Sequence, residues 1–439
     1  MGAQRGETGA TGEPIRTGRT AGWLAWRVVE WGTLVAGVLA MALFSLYGYH
    51  IHSTDLTEYH HYALAFWTSP NRFHALPAEY PPLAILIFSL ILLPPLANFQ
   101  AVFMFWMGVL ALVGYAAIVR FAGRRRALAY AVYLALGTAG VLLTHFDLVP
   151  ALVTLAALWA AARGRFSLAY VLLAAGILLK LYPLFLVPVV ALEHWRATSA
   201  KGAYPTGTGR PRASLASPGL WAALRGMALC GALTAAGFAI AFALAGAGVF
   251  SPLLYQMSRP LQLESLPATL LWLGTFLGFP AHADYIFASY NYVGPLDGGL
   301  KLLSSLALVV GCCWIYWRQA SGRLGLGRAW LACLCVVVLT NKIFSPQYLI
   351  WVLPVVAVVE GLDLLWIAVC LLTALDFPVL YRLHPFGIAP YGWPFMLVVA
   401  VRNLLLLVVT ARAILTSGRS PTMSQPVSRV AEPVLAAGG

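Results

Sequence analysis

The chain has 439 residues, 61% hydrophobic and 10% charged, and its 28 Lys and Arg against 15 Asp and Glu give a net charge of +13. Soluble domains carry about 25% charged residues, so this composition excludes a soluble globular domain and leaves an integral membrane protein of many helices. The basic residues fall in short clusters between apolar runs and form no continuous face, which argues against a nucleic-acid partner and makes the clusters topology signals.

In chain order, residues 1–25 are polar, contain no small-residue cleavage site, and read as a disordered cytoplasmic tail. A first helix is expected over 26–49. Polarity rises through residues 50–82, an external loop in which Leu56, Tyr59, Tyr62, Ala63 and Phe66 stand at helical spacing, predicting a helix along the membrane surface over 55–67. Apolar runs follow at 83–96, 100–121, 127–144, 149–162, 166–181, 183–195, 222–249, 300–317, 327–341, 347–361, 363–380 and 391–412, several too short for an upright crossing. A second disordered tail is expected over 415–439.

Basic clusters at Arg120 with Arg124, Arg125 and Arg126, at Arg163 with Arg165, from Arg196 to Arg225, from Arg318 to Arg328, and at Arg412 belong in the cytoplasm by the positive-inside rule. Keeping them there requires that one of the runs between Tyr80 and Arg120 be partial or tilted and that the stretch 266–280 be re-entrant. The expectation is an all-α polytopic membrane protein with one membrane domain over 26–414, about eleven to thirteen transmembrane helices, and both termini cytoplasmic. All six Cys lie in apolar helices without metal-ligand spacing, so no disulfide and no metal site is expected.

This topology gathers polar residues from six loops on the outer side: Asp55, Glu58, Glu79, His145, Asp147, Lys180, Tyr182, Arg259, Gln262, Glu264, Asp297, Lys342, Gln347, Arg382 and His384. Ionisable groups at the ends of membrane helices are costly unless they face a polar cavity, so their gathering points to a shared aqueous site.

Four stretches carry a family resemblance: TDLTEY with AEYPPLA in the first loop, HFDL followed by GILLKLYPLFLVP, YQMSRPLQLES, and TNKIFSPQYLIWVLP. In this order, over residues 50–405, they resemble the polyprenyl-phosphate-sugar-dependent glycosyltransferases of the GT-C superfamily, specifically its family-87 group of mannosyltransferase-like membrane proteins. The resemblance implies a GT-C-type helical bundle whose first external loop, carrying surface helices and an essential acid, covers a cavity on the extracytoplasmic face of the plasma membrane. It also implies a polyprenyl-phosphate-linked sugar donor and a lipid or glycan acceptor, with no cofactor beyond a divalent metal whose use is left open.

A phosphate leaving group departs without protonation, so such a transfer needs one base rather than a pair of carboxylates. Asp55 in TDLTEY matches the family's acidic motif and is the candidate; Glu58 is the alternative, and a purely structural Asp55 would cap the surface helix. Lys180, Arg259 and Lys342 are candidates to hold the donor phosphate, Arg259 first because a guanidinium grips phosphate oxygens bidentately; each could instead anchor a helix end at lipid head groups. Tyr59, Tyr80, Tyr182, Gln262, Glu264 and Gln347 are candidates to bind substrate. Asp147 is expected either to bind acceptor or to pair with Lys180, and Arg402 with Asn403 to pair within the bundle. The rival class is a transporter or lipid flippase, disfavoured because no internal repeat with matched helix interruptions is found.

Overall fold

The computed structural model describes residues 32, 53–71, 76, 77, 79–201, 218–381, 383 and 392–416. The expected first helix over 26–49, nearly all of both tails, Arg382 and His384 lie outside the described residues.

Helix α1, Ser53–Thr68, is the surface helix of the first loop. Its expected apolar face is the one that packs: Leu56, Tyr59, Ala63 and Phe66 are buried in a small aromatic core with Phe88, Phe103 and Phe146. The next run forms only α2, Ala84–Phe88, and a 3-10 turn, Ser89–Leu92, before the chain turns at Leu93 and Pro94. It is a partial helical segment, too short to cross a membrane upright. Helix α3, Phe99–Ala122, starts where the Asn98 side chain accepts from the Ala101 amide at 3.1 Å. Gly123, at φ +89°, lets the chain reverse in one residue into α4, Arg124–Gly137.

Beyond α4 come α5, Leu148–Ala162; α6, Phe166–Leu179; and α7, Val187–Lys201, entered through a 3-10 turn, Tyr182–Leu186. Helix α8, Pro218–Ala245, continues through a short turn into α9, Ser251–Ser258. Helix α10, Leu266–Thr275, is capped by Ser265, and β2, His282–Ile286, and β3, Ser289–Val293, follow it. The two strands pair antiparallel, and β3 also pairs with the short strand β1, Leu261–Gln262. This small sheet departs from the all-α expectation. Ala-His-Ala-Asp-Tyr and Ser-Tyr-Asn-Tyr-Val alternate in size and polarity and are rich in aromatic and β-branched residues, the signature of a hairpin that the expected run at 266–280 stops short of. Helix α10 has 10 residues, too short for an upright crossing, and leads into a hairpin in place of a second long helix.

The last elements are α11, Asp297–Ala320; α12, Leu326–Thr340; α13, Leu349–Val359, begun by a 3-10 turn, Pro346–Tyr348; α14, Leu364–Ala374; and α15, Trp393–Leu415. Four segments among the described residues are long and apolar enough to cross a membrane: Phe99–Ala122, Pro218–Ser258, Asp297–Ala320 and Trp393–Leu415. Shorter apolar helices fill the interior, and the main hydrophobic core draws on residues from Ile118 to Ile414 around α12 and α13. The chain is a helical membrane protein whose long helices face outward and whose short ones are enclosed.

The helix ends sort into two groups. At one, Arg126 donates to the Ala357 carbonyl at 3.5 Å, Arg196 to the Gln319 carbonyl at 3.2 Å, Arg318 to the Leu415 carbonyl at 3.2 Å, and Arg412 pairs with Glu360 at 2.6 Å and Asp363 at 2.8 Å. The basic clusters thus cap helix C-termini, where exposed carbonyls accept from cations. Asp55, Asp147, Lys180 and Arg259 stand at the second group of helix ends.

Candidate functional site

Asp55 lies in the first turn of α1, and its Oδ2 is 2.8 Å from Nε2 of His145 in the junction between α4 and α5. The Nδ1 of His145 is 3.1 Å from the Val141 carbonyl and 3.0 Å from the Thr144 hydroxyl. Both ring nitrogens are engaged, so the imidazole orients Asp55 and has no lone pair to offer a substrate. Burial lowers the His145 pKa, but the hydrogen bond to Asp55 and the charges of Asp55 and Asp147 outweigh it, and the net direction is up. The Asp55 side chain is 39% exposed while that of His145 is 5% exposed, which leaves the carboxylate as the member of the pair within reach of a ligand. Glu58, three residues on, is exposed on α1.

Tyr59, one helical turn after Asp55, is buried and stacks on Phe88 at 4.1 Å; its hydroxyl is 3.5 Å from that of Tyr80. Burial pushes both phenols above their ordinary range, so they act as neutral hydrogen-bonding groups. Tyr62 donates to Glu79 at 2.8 Å, which ties α1 to the AEYPP segment. The Leu83 amide donates to the Leu178 carbonyl at 3.0 Å, fixing that segment on the end of α6.

Asp147, completely buried, accepts from Lys180 at 2.5 Å and from the Trp351 indole at 2.6 Å, both on Oδ1; Oδ2 has no hydrogen-bond partner among the described residues. The expected alternative in which Asp147 pairs with Lys180 is the one observed. The Lys180 ammonium sits among four rings, 4.9 Å from Phe146, 5.0 Å from Trp351, and 5.6 Å from both Tyr80 and Tyr348. Trp351 is clamped between Tyr182 at 4.4 Å and Tyr348 at 4.1 Å, and Tyr182 also bonds Thr154 at 3.1 Å. With both faces of Trp351 covered, this stack is a wall and not a free sugar platform.

The second group of candidates surrounds the small sheet. Arg259, at the end of α9, donates to the Ser289 hydroxyl at 2.8 Å and lies 5.6 Å from the Tyr255 ring, while its Nε has no partner. Lys342 donates to the carbonyls of Met257 at 2.9 Å and Arg259 at 2.8 Å. Burial first, then the like charges of Lys301 and Arg259, bring its pKa down to about 8. Gln262, in β1, is buried, and its amide donates to the Lys342 carbonyl at 3.0 Å. Gln347 accepts from Ser345 at 2.9 Å beside Tyr348.

Glu264 sits deeper than the other candidates. It is 2% exposed, accepts from the Tyr381 hydroxyl at 2.7 Å, and its backbone carbonyl accepts from Arg402 and, at 3.1 Å, from Asn403. Arg402 is also paired with Asp376 at 2.8 Å, with both side chains fully buried. The expected internal pairing of Arg402 and Asn403 is present, and Glu264 belongs to that buried network.

The two groups are linked through side-chain contacts. Lys342 donates to the Arg259 carbonyl at 2.8 Å, and the ring of Tyr348, in the same connecting segment, lies 5.6 Å from the Lys180 ammonium. Tyr80 lies 5.6 Å from the same ammonium, and its hydroxyl is 3.5 Å from that of Tyr59 on α1, so Asp55, Lys180, Arg259 and Lys342 stand on four segments joined through Tyr59, Tyr80 and Tyr348. Sequence reasoning missed His145 as the partner of Asp55 and missed Trp351, Tyr255 and Ser289 altogether. The signal for Trp351 was present, because it follows Gln347 and Tyr348 at four and three residues in a helical segment. Among the described residues no group of three or more His, Cys, Asp or Glu is placed to hold a metal ion. No family model matches the chain, and no curated protein matches it.

Proposed function

We propose that the chain is an inverting glycosyltransferase that moves a hexose, with mannose the first choice, from a polyprenyl-phosphate donor to a lipid or glycan acceptor at the extracytoplasmic face of the plasma membrane. In this reading the Arg-rich helix ends are cytoplasmic, the chain crosses the bilayer about eleven to thirteen times in a GT-C-type bundle, and α1 covers the site from outside. The observation that carries the reading is the partly exposed carboxylate of Asp55, held by a buried His145, on segments that contacts through Tyr59, Tyr80 and Tyr348 join to those of Lys180, Lys342 and Arg259.

The acceptor hydroxyl oxygen attacks the anomeric carbon, its proton passes to Asp55, and the bond from that carbon to the phosphate oxygen breaks with its electron pair leaving on polyprenyl phosphate. Configuration at the anomeric carbon inverts. Arg259, with an N–H still unpartnered, and Lys342 supply positive charge where the leaving phosphate gains negative charge. Lys180 is committed to Asp147 and so acts at longer range.

The test is transfer of radiolabel from polyprenyl-phospho-mannose to endogenous lipids and glycans in membranes containing wild type, Asp55→Asn or Glu58→Gln. Loss of about 10²–10⁴-fold in Asp55→Asn alone is expected for removal of a general base. Loss in Glu58→Gln alone moves the base to Glu58. Folded wild type that transfers from no polyprenyl-phospho-sugar sinks the enzyme reading and leaves a transporter, for which buried charge pairs such as Lys180 with Asp147 are the supporting observation.

A further inference from the structure

The hairpin of β2 and β3 closes through Phe287 and Ala288, both at positive φ, +54° and +51°. A two-residue hairpin loop of this hand places Gly, Asn or Asp at such positions, because a side chain there crowds the backbone. Here a Phe takes the first of them. Asn291 of β3, fully buried, braces the loop by donating to the Ile286 carbonyl at 2.8 Å and the Ser289 carbonyl at 2.7 Å. The fold thus maintains a turn that presents large apolar side chains outward: Tyr285 is 60% exposed, Ile286 38% and Phe287 37%. In water both the backbone conformation and the apolar exposure are unfavourable, and a cheaper turn residue would remove both costs.

The position of the tip supplies the reason. It is clasped to the end of the apolar segment Pro218–Ser258, by an edge contact of Phe287 with Tyr255 at 5.4 Å and by the bond from Arg259 to Ser289 at 2.8 Å. That segment exposes Leu254 and Met257 in its last turns, immediately before Arg259. The sequence along it therefore passes from lipid-facing apolar side chains to Tyr255, then to the cations Arg259 and Lys342, which is the order of a bilayer interface.

We propose that residues 285–288 are a membrane-interface anchor, seated among the lipid head groups and upper acyl chains beside the end of α9. The partner is the bilayer itself, and continuity with the apolar surface of α8 and α9 identifies it. Seating the tip also fixes Arg259, because its guanidinium donates to Ser289 of the hairpin and lies against the Tyr255 ring of α9. The inference holds whatever chemistry the site performs.

Spin labels on Tyr285→Cys, Ile286→Cys and Phe287→Cys, with His282→Cys at the base of the hairpin as reference, test it. The full chain carries Cys313→Ser, which removes the exposed native thiol, and is placed in vesicles of phosphatidylcholine and phosphatidylglycerol. Collision with oxygen, which partitions into lipid, is compared with collision with a water-soluble nickel chelate. The expected result is an oxygen-to-nickel ratio several-fold higher at the three tip positions than at His282→Cys. A tip as open to nickel as the base overturns the proposal by placing it in water. Tip labels reached by neither reagent overturn it as well, by placing the tip against protein. Using three positions keeps the result independent of any one substitution that disturbs the turn.

Discussion

Two buried ion pairs, built from the same kinds of group, occupy different places in this molecule. Arg402 and Asp376 are both fully buried, and the guanidinium donates to Asp376, the Asn403 side chain and the Glu264 carbonyl, with Phe344 against its face at 4.1 Å. Lys180 and Asp147 are 12% and 0% exposed, and the ammonium is partly open and lies among four aromatic rings. The first pair fastens α15 and the end of α14 to the loop before α10. The second stands at the wall of a site. Identical chemistry thus serves packing where every hydrogen bond is internal and serves a site where one partner is left at a polar boundary.

The largest expected effect is on the internal pair. Arg402→Met leaves Asp376 as an uncompensated buried charge, a change that costs about 3–5 kcal/mol. Thermal melting in detergent is expected to fall sharply, and Arg402→Met combined with Asp376→Leu is expected to recover most of the loss because no lone charge remains. A single variant as stable as wild type would show that water reaches this pair and would erase the contrast. Lys180→Met is expected to lower the melting temperature less, since the Asp147 carboxylate keeps its Trp351 bond and borders the site. Transfer activity is expected to fall by about 10²-fold, the scale for losing a fixed charge near a developing anion. Melting as severe as that of Arg402→Met, with activity per folded molecule unchanged, would place Lys180 with the structural pair.

Much of the internal pair and less of the site was legible in the sequence. Arg402 and Asn403 adjoin in an otherwise apolar helix, so a bundle partner was demanded by the cost of an unpaired charge in lipid. The apolar face of α1 followed from periodicity, and the short, broken run after Tyr80 was expected from counting basic clusters. Asp147 with Lys180 was foreseen as one of two alternatives, because both lie at short breaks between apolar helices. The partnership of His145 with Asp55 was hidden, since it joins residues 90 positions apart and neither neighbourhood carries a local pattern. The hairpin was also missed: its strands are five residues each, and its turn lacks the Asn and Gly by which such loops announce themselves.

A smaller effect separates the cations of the site by pH. Burial lowers the Lys342 pKa to about 8, so its charge is lost over a range in which Arg259 remains charged. If Lys342 contributes its charge to donor phosphate, kcat/KM for the polyprenyl-phosphate donor falls roughly tenfold between pH 7 and pH 9 as the charged fraction falls. Lys342→Gln is expected to start low and to lack this limb. A limb unchanged in Lys342→Gln assigns the titration to another group and leaves Lys342 as a clasp on the Met257 and Arg259 carbonyls.

The smallest effect is on stability, and it distinguishes the two ends of the comparison by their response to protons. His145 has a folded-state pKa above its ordinary value because Asp55 and Asp147 favour the imidazolium against the opposing effect of burial. The folded chain therefore binds this proton more tightly than the unfolded chain. The stabilisation is fully present below about pH 6.5, the ordinary imidazole value, and is lost as pH rises through the raised folded value. A charge-assisted hydrogen bond of this kind, discounted because Asp55 is 39% exposed, contributes about 1 kcal/mol. Melting curves of wild type and His145→Gln between pH 5 and pH 9 are thus expected to differ most at the acid end and to converge with rising pH. Arg402 keeps its proton throughout, so the gap between wild type and Arg402→Met stays flat over the same range. A gap for His145→Gln that is equally flat would mean that the imidazole is neutral in the folded chain, and would reduce His145 to a neutral hydrogen-bond donor to Asp55.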